Sequence, residues 1–303
     1  MTQVPVGRIS YINVAPVYYG LDRGKAPSWL RMITQPPSRL NSLLTKGEVV
    51  ASPVSSAAYA RNASQWLLLP DLSISCDGPV LSVLFASRVP MEELDGRRVL
   101  VTEESETSVD LLKILLKEKG VHPKIKTGRV QTPDALSDDL SGCLVIGDAA
   151  LVQNWPKKFP FVYDLGAEWK RLTGLPFVFA VWAIRRDFCQ LAPAVVERLV
   201  ELFHDSRHEG QDNMDRVISD SVSRTGLPLS TLMRYFHYLG VELKTQELEG
   251  MQRFFDIQYR MGLISSPVTP AFTHLSSKVV VHCPAPSSGV ASQSESIDAM
   301  ESY

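Results

Sequence analysis

The sequence predicts an α/β protein built as two lobes that face each other across a cleft. Three observations carry this expectation. Short β-like apolar runs pass through small polar residues into helical patterns four times. These junctions form two pairs with one shared order of elements. Two strongly apolar runs then bracket the second pair. At 303 residues and 45% hydrophobic content, the chain can bury a sizeable core without disulfides.

The first junction is "GRIS" running into "YINVAPVYYGL", and the second is "EVVASPV" running into "SSAAYARN". A helix over "PSRLNSLLTKGE", with Ser38 as candidate N-cap, joins them. The third junction is "RRVLVTE" into "ESETSVDLLKILLKEKG", and the fourth is "CLVIG" into "DAALVQNW". These two are joined through "TPDALSDDL", with Thr132 as candidate N-cap. Residues 6–62 and 97–155 therefore repeat one plan: strand, helix, helix, strand, helix. Such alternation predicts parallel sheets with helices on both faces. Ligands of such sheets bind beyond the carboxyl ends of the strands, so two facing halves make one shared pocket.

The bracketing runs are "GPVLSVLFASR" and "GLPFVFAVWAIRR", expected to carry the chain from one lobe to the other and back. Lobe I is then residues 1–80 and 177–272, and lobe II is residues 81–176. After the second crossing the chain reads as helices, with Gly210, Gly226, Gly240 and Gly262 placed as C-terminal stops. The segment 273–303 is rich in Ser and Pro and is expected to be a disordered tail.

Several functions are disfavoured. A formal net charge of −2 without a long basic block argues against a nucleic-acid surface. An anionic ligand must then be held by local donors. Cys76, Cys143, Cys189 and Cys283 lie far apart with no CxxC, so zinc or a redox pair is not expected. His204 and His208 stand at i and i+4 but lack a third ligand at partner spacing. There is no GxSxG, Walker loop or GxGxxG. No metal or cofactor is expected. "MTQVPVGRIS" does not read as a secretory signal, and no apolar run is long enough to span a membrane, so a cytoplasmic protein is expected.

The polar strand ends carry the chemistry. They hold Ser10, Tyr11 and Asn13; Ser55 and Ser56; Ser105, Thr107 and Ser108; and Gly147 with Asp148. Apart from Asp148 these donate hydrogen bonds without full charge, as do the free amides at helix N-termini. The set suits a small carboxylate ligand. Taken singly, Ser55, Thr107 and Ser108 read better as helix caps; taken together, at four matched strand ends, binding is the better account. Ser82, inside an apolar strand, either fills a cross-strand gap or points into the cleft. Phe177 and Phe179 either wall a ring-shaped ligand or pack in the core. Glu103, Glu104 and Glu106 would repel an anion and are expected to face solvent.

The motifs S-Y-x-N-x-x-P, D-G-P-V-x-S-V and T-G-L-P-F-V-F-A-x-W, with "LVIGDAAL" and "YDLGAEWKRL", make the chain similar to a known family. From about Gly7 to Ile264 it resembles the chorismate dehydratases of menaquinone biosynthesis by the futalosine route. The resemblance implies a two-lobed, periplasmic-binding-protein-like fold of type II. It implies a hydro-lyase that converts chorismate to 3-[(1-carboxyvinyl)oxy]benzoate without a cofactor, as a monomer or homodimer. It places the family's important Asn at Asn13 and its important Ser at Ser82. Ser55 with Ser56, Thr107 with Ser108, and Gly147 with Asp148 would then bind the substrate. The acidic "TEESETS" departs from the family pattern. A non-catalytic cytoplasmic binding protein for a small carboxylate is the alternative.

Overall fold

The computed structural model describes residues 3–273, so Cys283 and, apart from Thr273, the expected tail lie outside the described residues. Two five-stranded sheets form the body. The first uses β1 (Val4–Ile9), β2 (Leu30–Gln35), β3 (Ala51–Ser55), β4 (Trp66–Cys76) and β10 (Phe177–Arg185), in the order β2-β1-β3-β10-β4. The second uses β5 (Val83–Ser87), β6 (Arg98–Thr102), β7 (Lys124–Gly128), β8 (Gly142–Ile146) and β9 (Phe161–Asp164), in the order β7-β6-β8-β5-β9. The helices are α1 (Ala15–Gly20), α2 (Pro37–Lys46), α3 (Ser56–Asn62), α4 (Glu106–Glu118), α5 (Asp148–Val152), α6 (Leu165–Thr173), α7 (Arg186–Leu191), α8 (Pro193–Asp212), α9 (Met214–Thr225), α10 (Leu229–Tyr238) and α11 (Thr245–Arg260).

The sheets are mixed, not purely parallel. β1 pairs parallel with β2 and β3, while β10 lies antiparallel between β3 and β4. In the second sheet β6 pairs parallel with β7 and β8, and β5 runs antiparallel to β8 and β9. The chain enters each sheet once from the other lobe, and an entering strand arrives reversed. β10 is the central case: eight of its nine residues are buried, which is why it reads as a continuous apolar run.

The first half runs strand-helix-strand-helix-strand-helix, and the second follows it with a 3-10 turn in place of the middle helix. The sequence reading missed β2 and β7. Both are edge strands with much of their surface open, and "LRMITQ" and "KIKTG" are short and rich in polar residues. Ser38 is not an N-cap: α2 begins at Pro37 after Pro36, and no side chain caps it. "TPDALSDDL" yields only a 3-10 turn at Pro133–Ala135. Gly210 lies inside α8, where the Pro16 carbonyl leaves no room for a Cβ. Gly240 likewise packs on Ser75, whereas Gly226 does cap α9 with φ 69°.

One apolar cluster runs through both lobes, from Val6 and Trp182 to Val99 and Leu111, and a smaller one gathers around Val145 of the second sheet. Trp182, Tyr18 and Phe203 meet tilted or edge-on within the first, and Trp155 packs with Phe159 in the second. A third cluster places Tyr235 and Phe236 of α10 with Ile12, and Leu81 and Leu151 pack against it from the second lobe. Thus α9 and α10 close one side of the cleft.

Candidate active site

Between the lobes lies a narrow cavity of about 60 Å3, lined from the first lobe by Ile9, Tyr11, Asn13, Ser55, Phe179 and Ala180. The second-lobe wall includes Ser82, Val83, Ser105, Ser108, Ile146 and Gly147. All four polar strand ends therefore contribute. The lining contains no Lys, Arg, His, Asp or Glu side chain.

Asn13 is the most telling group. It follows β1 in a 3-10 turn, and its Oδ1 is buried without any hydrogen-bond partner. A buried orphan acceptor costs about 1–3 kcal/mol. At the wall of a cavity it is a socket for a donor on a ligand.

Ser82 is 5% exposed and sits where the chain enters the second lobe. Its Oγ accepts a long hydrogen bond, 3.4 Å, from the Tyr235 hydroxyl of α10. Burial raises the pKa of Tyr235, so this phenol stays a neutral donor. Sequence reasoning missed Tyr235: nothing in "MRYFHY" separates it from core aromatics. The carbonyl of Ser82 accepts from Gly147 N at 2.8 Å. Gly147 has φ 65° and ψ −147°, a conformation open essentially to glycine alone, and a Cβ there would stand 3.1 Å from the Tyr11 ring.

The other expected site residues divide. Ser55 and Ser105 line the cavity while capping their helices: Ser55 Oγ accepts from Ala58 N at 3.2 Å, and Ser105 Oγ from Ser108 N at 3.2 Å. Ser55 is thus a helix cap that stands at the cavity wall. Thr107 does not line the cavity; its Oγ1 accepts from Ala57 N at 2.9 Å, capping α3 of the opposite lobe. Ser56 is turned away, donating to the Val178 carbonyl at 2.7 Å. Ser10 lies beside the cavity without lining it. Asp148 reaches back across the cleft to accept from Ile12 N at 3.3 Å, and burial raises its pKa. Phe177 packs against Trp169, Phe179 and Phe254 at centroid distances of 5.1, 4.6 and 5.0 Å, so Phe179 is the phenylalanine at the cavity wall.

Glu104 departs from the expectation that it faces solvent. It is half-buried and accepts from the Tyr11 hydroxyl at 2.5 Å. Burial, then this bond, pushes the Tyr11 pKa well up, so the phenol remains the donor. The contact joins the lobes. So do Arg61 to Asp110 at 2.5 Å, Gln258 to Asp110 at 2.8 Å and Asn41 to Glu106 at 3.1 Å. The lobes are closed, and the cavity holds room for a few waters. Access for a larger molecule requires the lobes to part. Among the described residues no cluster of His, Cys, Asp or Glu is arranged to hold a metal, and no helix is long and apolar enough to cross a membrane. His204 instead contacts the Pro70 carbonyl.

Fold and cleft define a class of two-lobed protein, one with a periplasmic-binding-protein-like fold. Protein AF1704 of Archaeoglobus fulgidus superposes with a TM-score of 0.71 at 20% identity, covering 86% of this chain and 98% of that one. The alkanesulfonate-binding protein SsuA of Xanthomonas axonopodis, solved with MOPS, gives 0.61 at 12% identity, covering 89% and 96%.

Within that class the chain belongs to the menaquinone-biosynthesis family, whose model matches residues 4–260. It is 33% identical over 278 residues to the chorismate dehydratase of Thermus thermophilus, covering 87% of this chain and 97% of that protein. The chorismate dehydratase of Campylobacter jejuni is 27% identical over 65% of this chain and 72% of its own length. A 1,4-dihydroxy-6-naphtoate synthase of Thermus thermophilus is 27% identical over 56% of this chain and 62% of its own length.

Proposed function

We propose that the protein is a chorismate dehydratase, a carbon–oxygen lyase that removes water from chorismate to give 3-[(1-carboxyvinyl)oxy]benzoate. The orphaned Asn13 Oδ1 at a wall free of charged side chains supports this most directly. Chorismate at neutral pH carries two carboxylates, an enol ether and one hydroxyl. The hydroxyl is its one hydrogen-bond donor, and a buried acceptor lacking a partner suits it. That hydroxyl is also the leaving group.

In this reading the proton leaves the ring carbon that bears the enol ether, and the neighbouring C–O bond breaks. The C–H electron pair becomes the third ring double bond, so proton and hydroxide together balance as water. Aromatisation supplies the driving force, and no strong protein acid or base is needed. The substrate's own side-chain carboxylate takes the proton. Asn13 holds the departing hydroxyl, and Ser82, oriented by Tyr235, sets the enolpyruvyl arm. Ser55, Ser105 and Ser108, with the amides of the helix starts, receive the carboxylates. Positioning of this kind contributes at most about 7–11 kcal/mol. Closure around the substrate excludes water and strengthens each bond.

We assign lobe I to residues 1–80 and 177–272 and lobe II to 81–176, a division supported by the strand membership of the two sheets. A cytoplasmic location goes with the biosynthetic role. The test is incubation with chorismate, followed by chromatography for the aromatic product. Wild-type protein forms it, and Asn13→Ala and Ser82→Ala slow it strongly. Both variants turning over at the wild-type rate would refute the site, and chorismate bound but recovered unchanged would make the protein a binding module.

A further inference from the structure

The chain makes its first crossing between lobes through Gly78–Ser82, and this turn is held by a carboxylate outside the cavity. Asp164, at the end of β9, accepts from Val80 N with both oxygens at 3.0 Å and from Leu81 N at 2.7 Å. Its Oδ1 also accepts from Gly166 N at 3.0 Å and Ala167 N at 3.1 Å, capping α6. One side chain thus ties four backbone amides from two segments. The turn it grips is strained: Leu81 has φ 62°, a left-handed conformation that costs a residue with a Cβ. Ser82 N donates to the Val80 carbonyl at 2.8 Å, and Ser82 O accepts from Gly147 N at 2.8 Å. Val80, Ser82 and Val83 all line the cavity.

We propose that Asp164 is a positioning residue for the dehydration, holding the Val80–Ser82 turn so that the Ser82 hydroxyl faces the substrate. The inference rests on the role assigned to Ser82 above. A cap for α6 alone explains the Gly166 and Ala167 bonds. It does not explain why the same carboxylate reaches a turn more than eighty residues earlier in the chain. Burial raises the Asp164 pKa despite its amide donors, so the protein keeps a carboxyl where its charge is disfavoured.

The test is a double-mutant cycle on full-length protein. Asp164→Asn keeps one oxygen for the α6 cap, a position where Asn serves as well as Asp. It presents an NH2 to the Leu81 amide. Asp164→Ser also caps but is too short to reach the turn. Each should lower kcat by about ten- to a hundredfold, as expected for a misplaced catalytic group, with KM changed far less. In a Ser82→Ala background the same changes should alter kcat by less than about twofold, because coupled groups are not additive. An equal loss in both backgrounds would overturn the proposal and leave Asp164 a cap. Loss of the folded circular-dichroism spectrum in both variants would overturn it too, as it would make the residue one of stability. Ser82→Ala at wild-type rate would refute the role of Ser82 instead, which separates the two failures.

Discussion

Replacing Asn13 by Leu should make the ligand-free protein more stable and catalytically dead. Asn13 Oδ1 is buried with no partner, and an unsatisfied buried acceptor costs about 1–3 kcal/mol. Leucine has a similar shape and no polar atom, so the variant should recover much of that cost. Residue 13 is partly exposed, which places the gain nearer about 1 kcal/mol. Such a gain corresponds to roughly 2–4 °C in melting temperature for a large domain. Turnover should fall about a hundredfold, the cost of losing the contact that positions the departing hydroxyl. Urea or thermal unfolding without ligand gives the first quantity, and chromatographic product formation gives the second. A purely structural Asn gives the opposite pattern. An Asn13→Leu protein that is less stable than wild type yet still turns over would refute the reasoning.

Other perturbations separate the roles of neighbouring residues. Tyr11→Phe removes the hydroxyl that donates to Glu104 across the cleft at 2.5 Å. The ligand-free protein should then show a larger radius of gyration in solution scattering, and KM should rise by up to about tenfold; unchanged values of both would contradict a latch. Phe177→Ala should cost about 3–5 kcal/mol of stability, because Phe177 is 1% exposed within an aromatic cluster. Phe179→Ala should instead raise KM more than it lowers stability, and the reverse ranking would show that the cavity wall is misassigned. Asp148 has a pKa raised by burial, so the folded state binds its proton more tightly than the unfolded state. Its contribution to stability is then fully present below the unfolded value near 3.9 and lost as pH rises through the folded value. Asp148→Asn keeps an oxygen for the Ile12 amide and should exceed wild type in urea midpoint at pH 7 but not at pH 4. A larger advantage at pH 4 would reverse the sign and refute this.

What was legible in the sequence followed burial and local chemistry. β10 announced itself because a central strand covered on both faces must be apolar throughout. β8 was legible for the same reason, and β3 and β6 from the apolar residues leading into their polar ends, whereas β2 and β7 lie at edges, where polar side chains are tolerated. Gly210 and Gly240 read as helix stops, but a glycine required for close approach looks the same in sequence as one required for a positive φ. At the site, residue types were readable and directions were not. Phe177 and Phe179 share one strand, and only the packing of Trp169 and Phe254 shows which one faces the core. Tyr235 and Asp164 reach the site region from distant segments, and Glu104, beside Ser105, turns inward to Tyr11, through contacts that no local pattern encodes.

The central claim is that uncharged groups from two lobes grip a doubly anionic molecule, with its hydroxyl on Asn13. A crystal structure of the Ser82→Ala variant soaked with chorismate tests it most directly. The account predicts the ring between Asn13 and residue 82, with the hydroxyl oxygen within about 3 Å of Asn13 Oδ1. Chorismate seated outside this cavity, or with its hydroxyl turned away from Asn13 and a lysine or arginine carrying its carboxylates, would contradict it.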